Sequence, residues 1–276
     1  MGQSLNLLPA SYQDFRTKAE RRLPRYLFDY IDGGAGAEVT LRRNVADWEA
    51  VQLTQKVLLD ASNMDCSVEL FGETLAMPLV LAPVGMGGMT ARRGEVQAKR
   101  AADKAGVAFC LTTVGVCSPE EVGQVSDRAF WFQLYMLKDR GVVSDILARA
   151  WDQGVRTLAF TIDLAVLGTR YRDIRNGMVG GVGPLGRLRA GPIDYALHPR
   201  WLIDVGLRGR PHGLGTVAPY VDGDGNIANF MLWMARQFDP SVTWKDIEWL
   251  RSIWKGNLVL KGILDTDDAR QAVAIG

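Results

Sequence analysis

Residues 257–273, NLVLKGILDTDDARQAV, decide the fold. A short apolar run, Leu258, Val259 and Leu260, is bounded by Asn257 and Gly262 and finishes on Lys261. Its length and flanks suit a buried strand with a cation at its C-terminal end. The stretch that follows opens on an N-cap aspartate, carries acids in its first turn and then becomes apolar at helical spacing. A strand that leads at once into a helix is half of a βα repeat.

The same grammar runs back to residue 77. MPLVLAP is a short strand ending in Pro83, followed by a glycine-rich loop and a helix closed by Gly106. VAFCLTT is the second strand, and SPEEVGQV a helix with Ser118 as N-cap and Pro119 at its first position. FWFQLYM leads into the helix of DRGVVSDILARAWDQG, RTLAFTID is the fourth strand, and SVTWKDIEWLRSIW is the helix before the fifth, NLVLKG. Near-continuous apolar strands alternating with amphipathic helices predict parallel strands covered by helices. Between the fourth and fifth strands about 80 residues intervene, and residues 177–240 read as a long mobile insertion. Residues 1–76 read as an N-terminal extension to one domain spanning 1–276.

Composition bounds the rest. A chain of 276 residues, 47% hydrophobic and 23% charged, can bury one large core or two modest ones. A formal charge of +1 gives no reason to expect a nucleic-acid partner. Cys66, Cys110 and Cys117 form no CxxC pair, and reduced thiols are expected. The first residues lack a basic start and apolar core of the secretory type, and no apolar run is long enough to span a bilayer. The expectation is a soluble or peripheral protein.

Five βα units exceed a small open sheet and fall short of a closed eight-stranded barrel. Either architecture puts ligands at the C-terminal ends of the strands. Those ends read Pro83, Val84 and Gly85; Thr112; Gln133 and Tyr135; Thr161 and Asp163; and Lys261. Polar residues closing greasy strands are costly unless they bind something. Hydroxyls and an amide suit a flat heterocycle with several carbonyl positions. Lys261 suits an anionic reduced cofactor or, alternatively, a Schiff base. Asp163 is a natural partner for a catalytic histidine, but His198 and His212 both lie in the insertion. Beyond Asp163, Arg170 and Arg172 each qualify to grip a carboxylate, or else to sit solvated on the surface.

LPRYLFDYIDGGA, TLRRN, MPLVLAPVGMGGM, GEVQAKRAADKAG, WFQLYMLKDRG, FTID, GTRYRD, HPRW and VLKGILDTDDARQAVAIG occur in this order over nearly the whole chain. The set resembles the FMN-dependent L-2-hydroxy-acid oxidases and dehydrogenases, most of all the bacterial respiratory L-lactate dehydrogenases, with mandelate dehydrogenase next. The resemblance implies an α/β fold, a (β/α)8 barrel of the TIM type, with FMN at the C-terminal mouth. It implies that Pro83, Val84 and Gly85 lend backbone contacts to the flavin, that Thr112, Gln133 and Thr161 bind its polar edge, and that Lys261 holds the charge gained on reduction. It further implies that Tyr30 and Arg170 bind the substrate carboxylate, Tyr135 its hydroxyl region, and that Asp163 orients the base. The family's catalytic histidine, a second arginine and the phosphate site would lie beyond Gly276, so the chain reads as holding about five of eight units. L-lactate oxidation to pyruvate is the implied reaction, with a quinone or other acceptor taking the electrons and a homotetramer as the assembly. L-mandelate is the alternative substrate, since Val114 excludes neither; Gly85 resembles the dehydrogenases more than the oxidases.

Three further motifs weigh less. Residues 181–186 spell GxGxxG, but no strand precedes them, no helix is expected after them, and Pro184 interrupts them. DGDGN at 222–226 lacks the Gly and Glu that a calcium loop needs, and reads as a turn. The segment 183–220 is rich in arginine and carries Tyr195 and Trp201; it suits contact with anionic lipid at the cytoplasmic side of the inner membrane, or a solvated loop in a cytoplasmic protein. The competing functional readings are a Schiff-base enzyme using Lys261 and an inactive fragment or interaction module.

Overall fold

In the computed structural model, residues 8–166, 168–178, 180, 183–221 and 227–276 are described. The chain divides into two compact units, Met1–Leu59 with Gly168–Arg208, and Asp60–Leu167 with Gly209–Gly276.

The second unit contains every strand among the described residues. An antiparallel hairpin, β1 (Val68–Leu70) and β2 (Glu73–Leu75), precedes five parallel strands. These are β3 (Val80–Leu81), β4 (Ala108–Thr112), β5 (Trp131–Leu134), β6 (Thr157–Thr161) and β7 (Asn257–Lys261), ordered in space as in sequence. They are the five strands expected from the apolar runs. The helices Gly94–Ala105, Pro119–Gly123, Arg140–Asp152 and Trp244–Ile253 fall between them as predicted, and Thr266–Ile275 follows β7. Their ends obey the sequence signals. The Ser118 side chain accepts the Glu121 N–H, Asp139 and Asp265 cap their helices in the same way, and Gly106 closes its helix in a left-handed conformation.

Register sorts the strand residues onto two faces. Cys110 pairs with Trp131, Thr112 with Gln133, Gln133 with Ala159, Ala159 with Val259, and Thr161 with Lys261, so these residues share one face. Phe109, Leu111, Phe132, Leu134, Leu158 and Phe160 occupy the other, and all are buried. Each such side chain stabilises the fold by roughly 1.5–3 kcal/mol relative to exposure. The first face changes character along its length. Near the strand starts Ala108, Cys110, Trp131 and Ala159 form an apolar cluster with Leu75 of the hairpin. Phe71, in the hairpin turn, places its ring 5.5 Å from that of Trp131. At the strand ends the same face turns polar, which locates the site.

The first unit is helical among its described residues. Tyr12–Arg22 begins with a capping box between Ser11 and Asp14, and Arg25–Asp32 and Val39–Glu49 follow. Tyr171–Arg175, Pro184–Leu188, Asp194–Leu197 and Pro199–Trp201 complete it, joined by π-helical turns at Arg189–Ile193 and Leu202–Leu207. The insertion therefore carries helices along much of its course. Its residues 183–208 belong to the first unit and 209–240 to the second. Gly183 is the N-cap of Pro184–Leu188, contrary to the expectation that GxGxxG opens no helix. That helix is a little over one turn long, too short for a dinucleotide site. Gly181, Val182 and the DGDGN motif lie outside the described residues.

Candidate active site

Four neighbouring strands deliver the polar ends. Thr112 is 2% exposed and donates its hydroxyl to Gln133 Oε1 at 2.7 Å, while accepting the Val114 N–H at 3.3 Å. Gln133 is 1% exposed and donates from Nε2 to Thr161 Oγ1 at 3.0 Å. The amide is thus fixed by a hydroxyl on either side. Two hydrogens stay unused in this chain of bonds: the second amide N–H of Gln133 and the hydroxyl hydrogen of Thr161. Thr113, which the sequence places at the same strand end without a role, braces the same corner. Its hydroxyl donates to the Gln133 carbonyl at 2.7 Å and accepts the Tyr135 N–H at 3.1 Å.

Lys261 stands beside Thr161 in register and is half exposed, with Nζ 3.4 Å from each carboxylate oxygen of Asp163. Gly262 explains how they come so close. Its φ is +114°, and a Cβ there would lie 2.5 Å from Cβ of Asp163. Only glycine fits both the backbone and the space. Sequence alone marked Gly262 as the end of a strand; its contact with a residue 99 positions earlier was not legible.

The loop after β3 is held from β4. Met86 N–H donates to the Val114 carbonyl at 3.0 Å, and the buried Glu95 accepts the Val116 N–H at 2.8 Å. A Cβ on Gly94 would strike the Gly87 carbonyl, so loop and helix lie backbone to backbone. This bracing leaves Val84 half exposed beside Pro83 and Gly85. Glu95 was also missed, because a single acid in an amphipathic helix reads as solvent-facing. A cavity of about 360 Å³ opens beside Tyr135 and Thr161, walled by Phe238, Pro240 and Trp244. The Tyr135 ring lies 5.8 Å from that of Phe238. Burial pushes the Cys110 and Cys117 thiols up to about 12, so neither is a nucleophile at neutral pH. No group of three or more His, Cys, Asp or Glu among the described residues could hold a metal ion.

In the first unit, Arg170 and Tyr30 are brought together. Arg170 Cζ sits 5.1 Å from the centroid of the Tyr30 ring. Its Nη2 donates to the carbonyls of Asp29 at 3.1 Å, Gly33 at 2.9 Å and Tyr30, closing the C-terminal end of Arg25–Asp32. Burial raises the Tyr30 phenol above its ordinary range, against the opposing charge of Arg170. Arg172 is different. It donates to Asp32 at 2.7 Å and to Glu38 at 2.8 Å, and those two acids use its fork. Of the two arginines that sequence left open, only Arg170 keeps an Nη without a partner among the described residues. His198 is likewise engaged, with Nδ1 donating to the Asp194 carbonyl at 2.7 Å.

Comparison with known proteins fits this donor set. Residues 19–276 match the model of the FMN-dependent dehydrogenases. The chain belongs to the FMN-dependent dehydrogenase family. It is 51% identical to an L-lactate dehydrogenase of Allorhizobium ampelinum over 270 residues, covering 98% of this chain and 70% of that protein. An L-lactate dehydrogenase of Xanthomonas campestris pv. campestris is 52% identical over 270 residues, covering 98% and 69%. Among solved structures, monotopic membrane (S)-mandelate dehydrogenase matches with a TM-score of 0.86 at 32% identity, over 96% of this chain and 69% of that one. A mandelate oxidase matches with a TM-score of 0.76 at 30% identity, over 98% and 67%. The five parallel strands and their helices are those of the family's TIM-type barrel.

FMN, the family's cofactor, has a ring edge of carbonyl and imide groups that needs donors. The unused hydrogens of Gln133 and Thr161 and the ammonium of Lys261 supply them on adjacent strand ends. The residues present fit the group.

Proposed function

We propose that this protein oxidises L-lactate to pyruvate with FMN, passing the electrons to a quinone or another respiratory acceptor. The observation that carries the reading is the row of unused donors at Gln133, Thr161 and Lys261, in a chain half identical to L-lactate dehydrogenases along 98% of its length. FMN, when bound, supplies the two-electron acceptor. Thr112 acts through Gln133 by fixing its amide, and Pro83, Val84 and Gly85 offer backbone against the ring. Lys261 places positive charge where the cofactor gains negative charge on reduction.

Tyr30 and Arg170 bind the substrate carboxylate, and Tyr135 its hydroxyl region. Because Nη2 of Arg170 already holds three carbonyls, the carboxylate is met through Nη1 with the Tyr30 phenol beside it. Lactate loses its hydroxyl proton as the C–H bond breaks, and Asp163 orients the base that takes that proton. Neither histidine stands at a described strand end. A second reading, L-mandelate as substrate, is favoured by the similarity to mandelate dehydrogenase and by the aromatic wall of the cavity beside Tyr135.

The protein works as a homotetramer, peripheral on the cytoplasmic side of the inner membrane. No helix among the described residues is long and apolar enough to cross a membrane. Segment 183–220 exposes Leu185, Leu188, Ile193, Leu197, Ile203 and Leu207 among its arginines, which supports contact with a bilayer surface. Anaerobic absorbance spectra test the catalytic reading. Flavin bands that bleach with L-lactate, and more slowly with (S)-mandelate, are expected. Flavin bands that neither acid bleaches would sink it.

A further inference from the structure

Lys18, Arg21 and Arg22 stand at i, i+3 and i+4 of the helix Tyr12–Arg22 and therefore share one face. Within the first unit that face lines a cleft of about 560 Å³ whose opposite wall is Leu197, His198, Pro199 and Arg200. Arg22 is paired with Asp204 at 2.8 Å, and His198 lies 3.4 Å from an Asp194 carboxylate oxygen. Lys18, Arg21 and Arg200 are exposed and form no ion pair among the described residues. Three unmatched cations on two walls of one concave feature repel one another unless an anion lies between them.

We propose that this cleft binds a phosphate monoester, carried by the headgroup of a phospholipid. A monoester brings nearly two negative charges and three acceptor oxygens, which matches three unmatched cations. A diester brings one charge and two free oxygens and leaves a cation unmatched. The lipid source is favoured by the cleft's surroundings. Leu197, on its wall, is 72% exposed, and Leu185, Leu188 and Ile203 are exposed along the same helical run. Phosphate held by cations with leucines around it is the arrangement of an interfacial site. The inference rests on the reading of peripheral membrane contact and deepens it, naming the group recognised. The same chemistry is available from a soluble monoester.

The test uses flotation of the protein with phosphatidylcholine vesicles doped with phosphatidic acid, a monoester, or with phosphatidylglycerol, a diester. Calorimetry with glycerol 3-phosphate runs beside it. The variants are Lys18→Gln/Arg21→Gln/Arg200→Gln and a charge-matched control on the second unit, Arg100→Gln/Lys104→Gln/Lys255→Gln. Tighter binding to phosphatidic acid than to phosphatidylglycerol is expected, with a loss of roughly a hundredfold in the cleft variant and little in the control. Equal binding to both lipids, or equal loss in both variants, overturns the cleft while leaving peripheral contact standing. Binding of glycerol 3-phosphate without any vesicle binding supports the phosphate cleft but overturns its lipid source and the peripheral reading together. Binding to neither overturns both.

Discussion

Two polar clusters, one in each unit, are built from opposite materials. At the ends of β4, β5 and β6 the buried groups are neutral: two threonine hydroxyls and a glutamine amide in a chain of 2.7 Å and 3.0 Å bonds. In the first unit the groups are charges around the buried Asp29 and Asp173, most of them partly buried: Arg16 and Arg172 on Asp32, Arg172 on Glu38, Arg25 on Asp29 and Arg170 against Asp173. In the neutral cluster each group braces its neighbour, and Gln133 and Thr161 still keep a donor for something else. In the charged cluster most of the strong donors are used by acids of the same chain, and the exception is Arg170, which keeps an Nη without a partner among the described residues. A binding site is marked less by the strength of its polar groups than by the hydrogens its own chain leaves unused.

That difference can be broken or sharpened by experiment. The largest effect is expected at Gly262→Ala, where a left-handed φ and a Cβ 2.5 Å from Asp163 coincide. Strain of this kind costs about 3 kcal/mol. Thermal melts should fall accordingly and flavin should be lost; a wild-type melt with full flavin would show that the mouth tolerates a side chain. Next, Arg172→Leu strands Glu38 and leaves Asp32 to Arg16 alone, and should cost about 2 kcal/mol of stability. Flavin affinity per folded molecule should stay unchanged, and a tenfold drop there would erase the contrast between the clusters.

Gln133→Leu reverses the pattern. It leaves two buried threonine hydroxyls without their partner, at about 1–2 kcal/mol, and removes a donor from the cofactor edge. Flavin fluorescence titration should show affinity falling at least about tenfold, and unchanged affinity would remove Gln133 from the site. Lys261→Met should move stability by no more than about 0.5 kcal/mol, since the Asp163 pair is exposed. The midpoint potential of the bound cofactor should nevertheless drop, and a constant potential would dismiss the role given to Lys261.

The last effect concerns pH. The Arg16 guanidinium first, and then Arg172, hold the Asp32 carboxyl below its ordinary value of 3.8. A depressed carboxylate stabilises the fold above that value and loses its contribution as pH falls through the folded-state value. Melts recorded into the acid range should therefore lose roughly 1 kcal/mol more in the wild type than in Asp32→Asn. Parallel acid limbs in the two proteins would contradict this.

Much of this was legible in the sequence because the signals were local. Ser118, Asp139, Gly106 and Asp265 cap or close helices within three or four residues of themselves, and period-two alternation alone puts Thr112 and Cys110 on one face. The residues and roles missed depend on contacts between distant segments. Glu95 is buried because Val116 N–H reaches it from the next loop, and Thr113 matters because it ties β4 to β5. Arg170 differs from Arg172 through distant partners, carbonyls about 140 positions away for one and Asp32 and Glu38 for the other, which no spacing within GTRYRD encodes. The hairpin β1 and β2 lies within what the sequence reads only as an N-terminal extension, since three-residue strands carry too little pattern to read.

The hairpin has a consequence for redesign. Leu75 lies on Ala108, Cys110, Trp131 and Ala159 at one end of the same sheet face that carries Thr112, Gln133 and Thr161 at the other. Tolerance to substitution should therefore be graded along single strands, with positions two residues apart obeying different rules. The floor can be recut with any apolar set of equal volume, giving an engineer a dial for robustness that does not touch the chemistry at the rim.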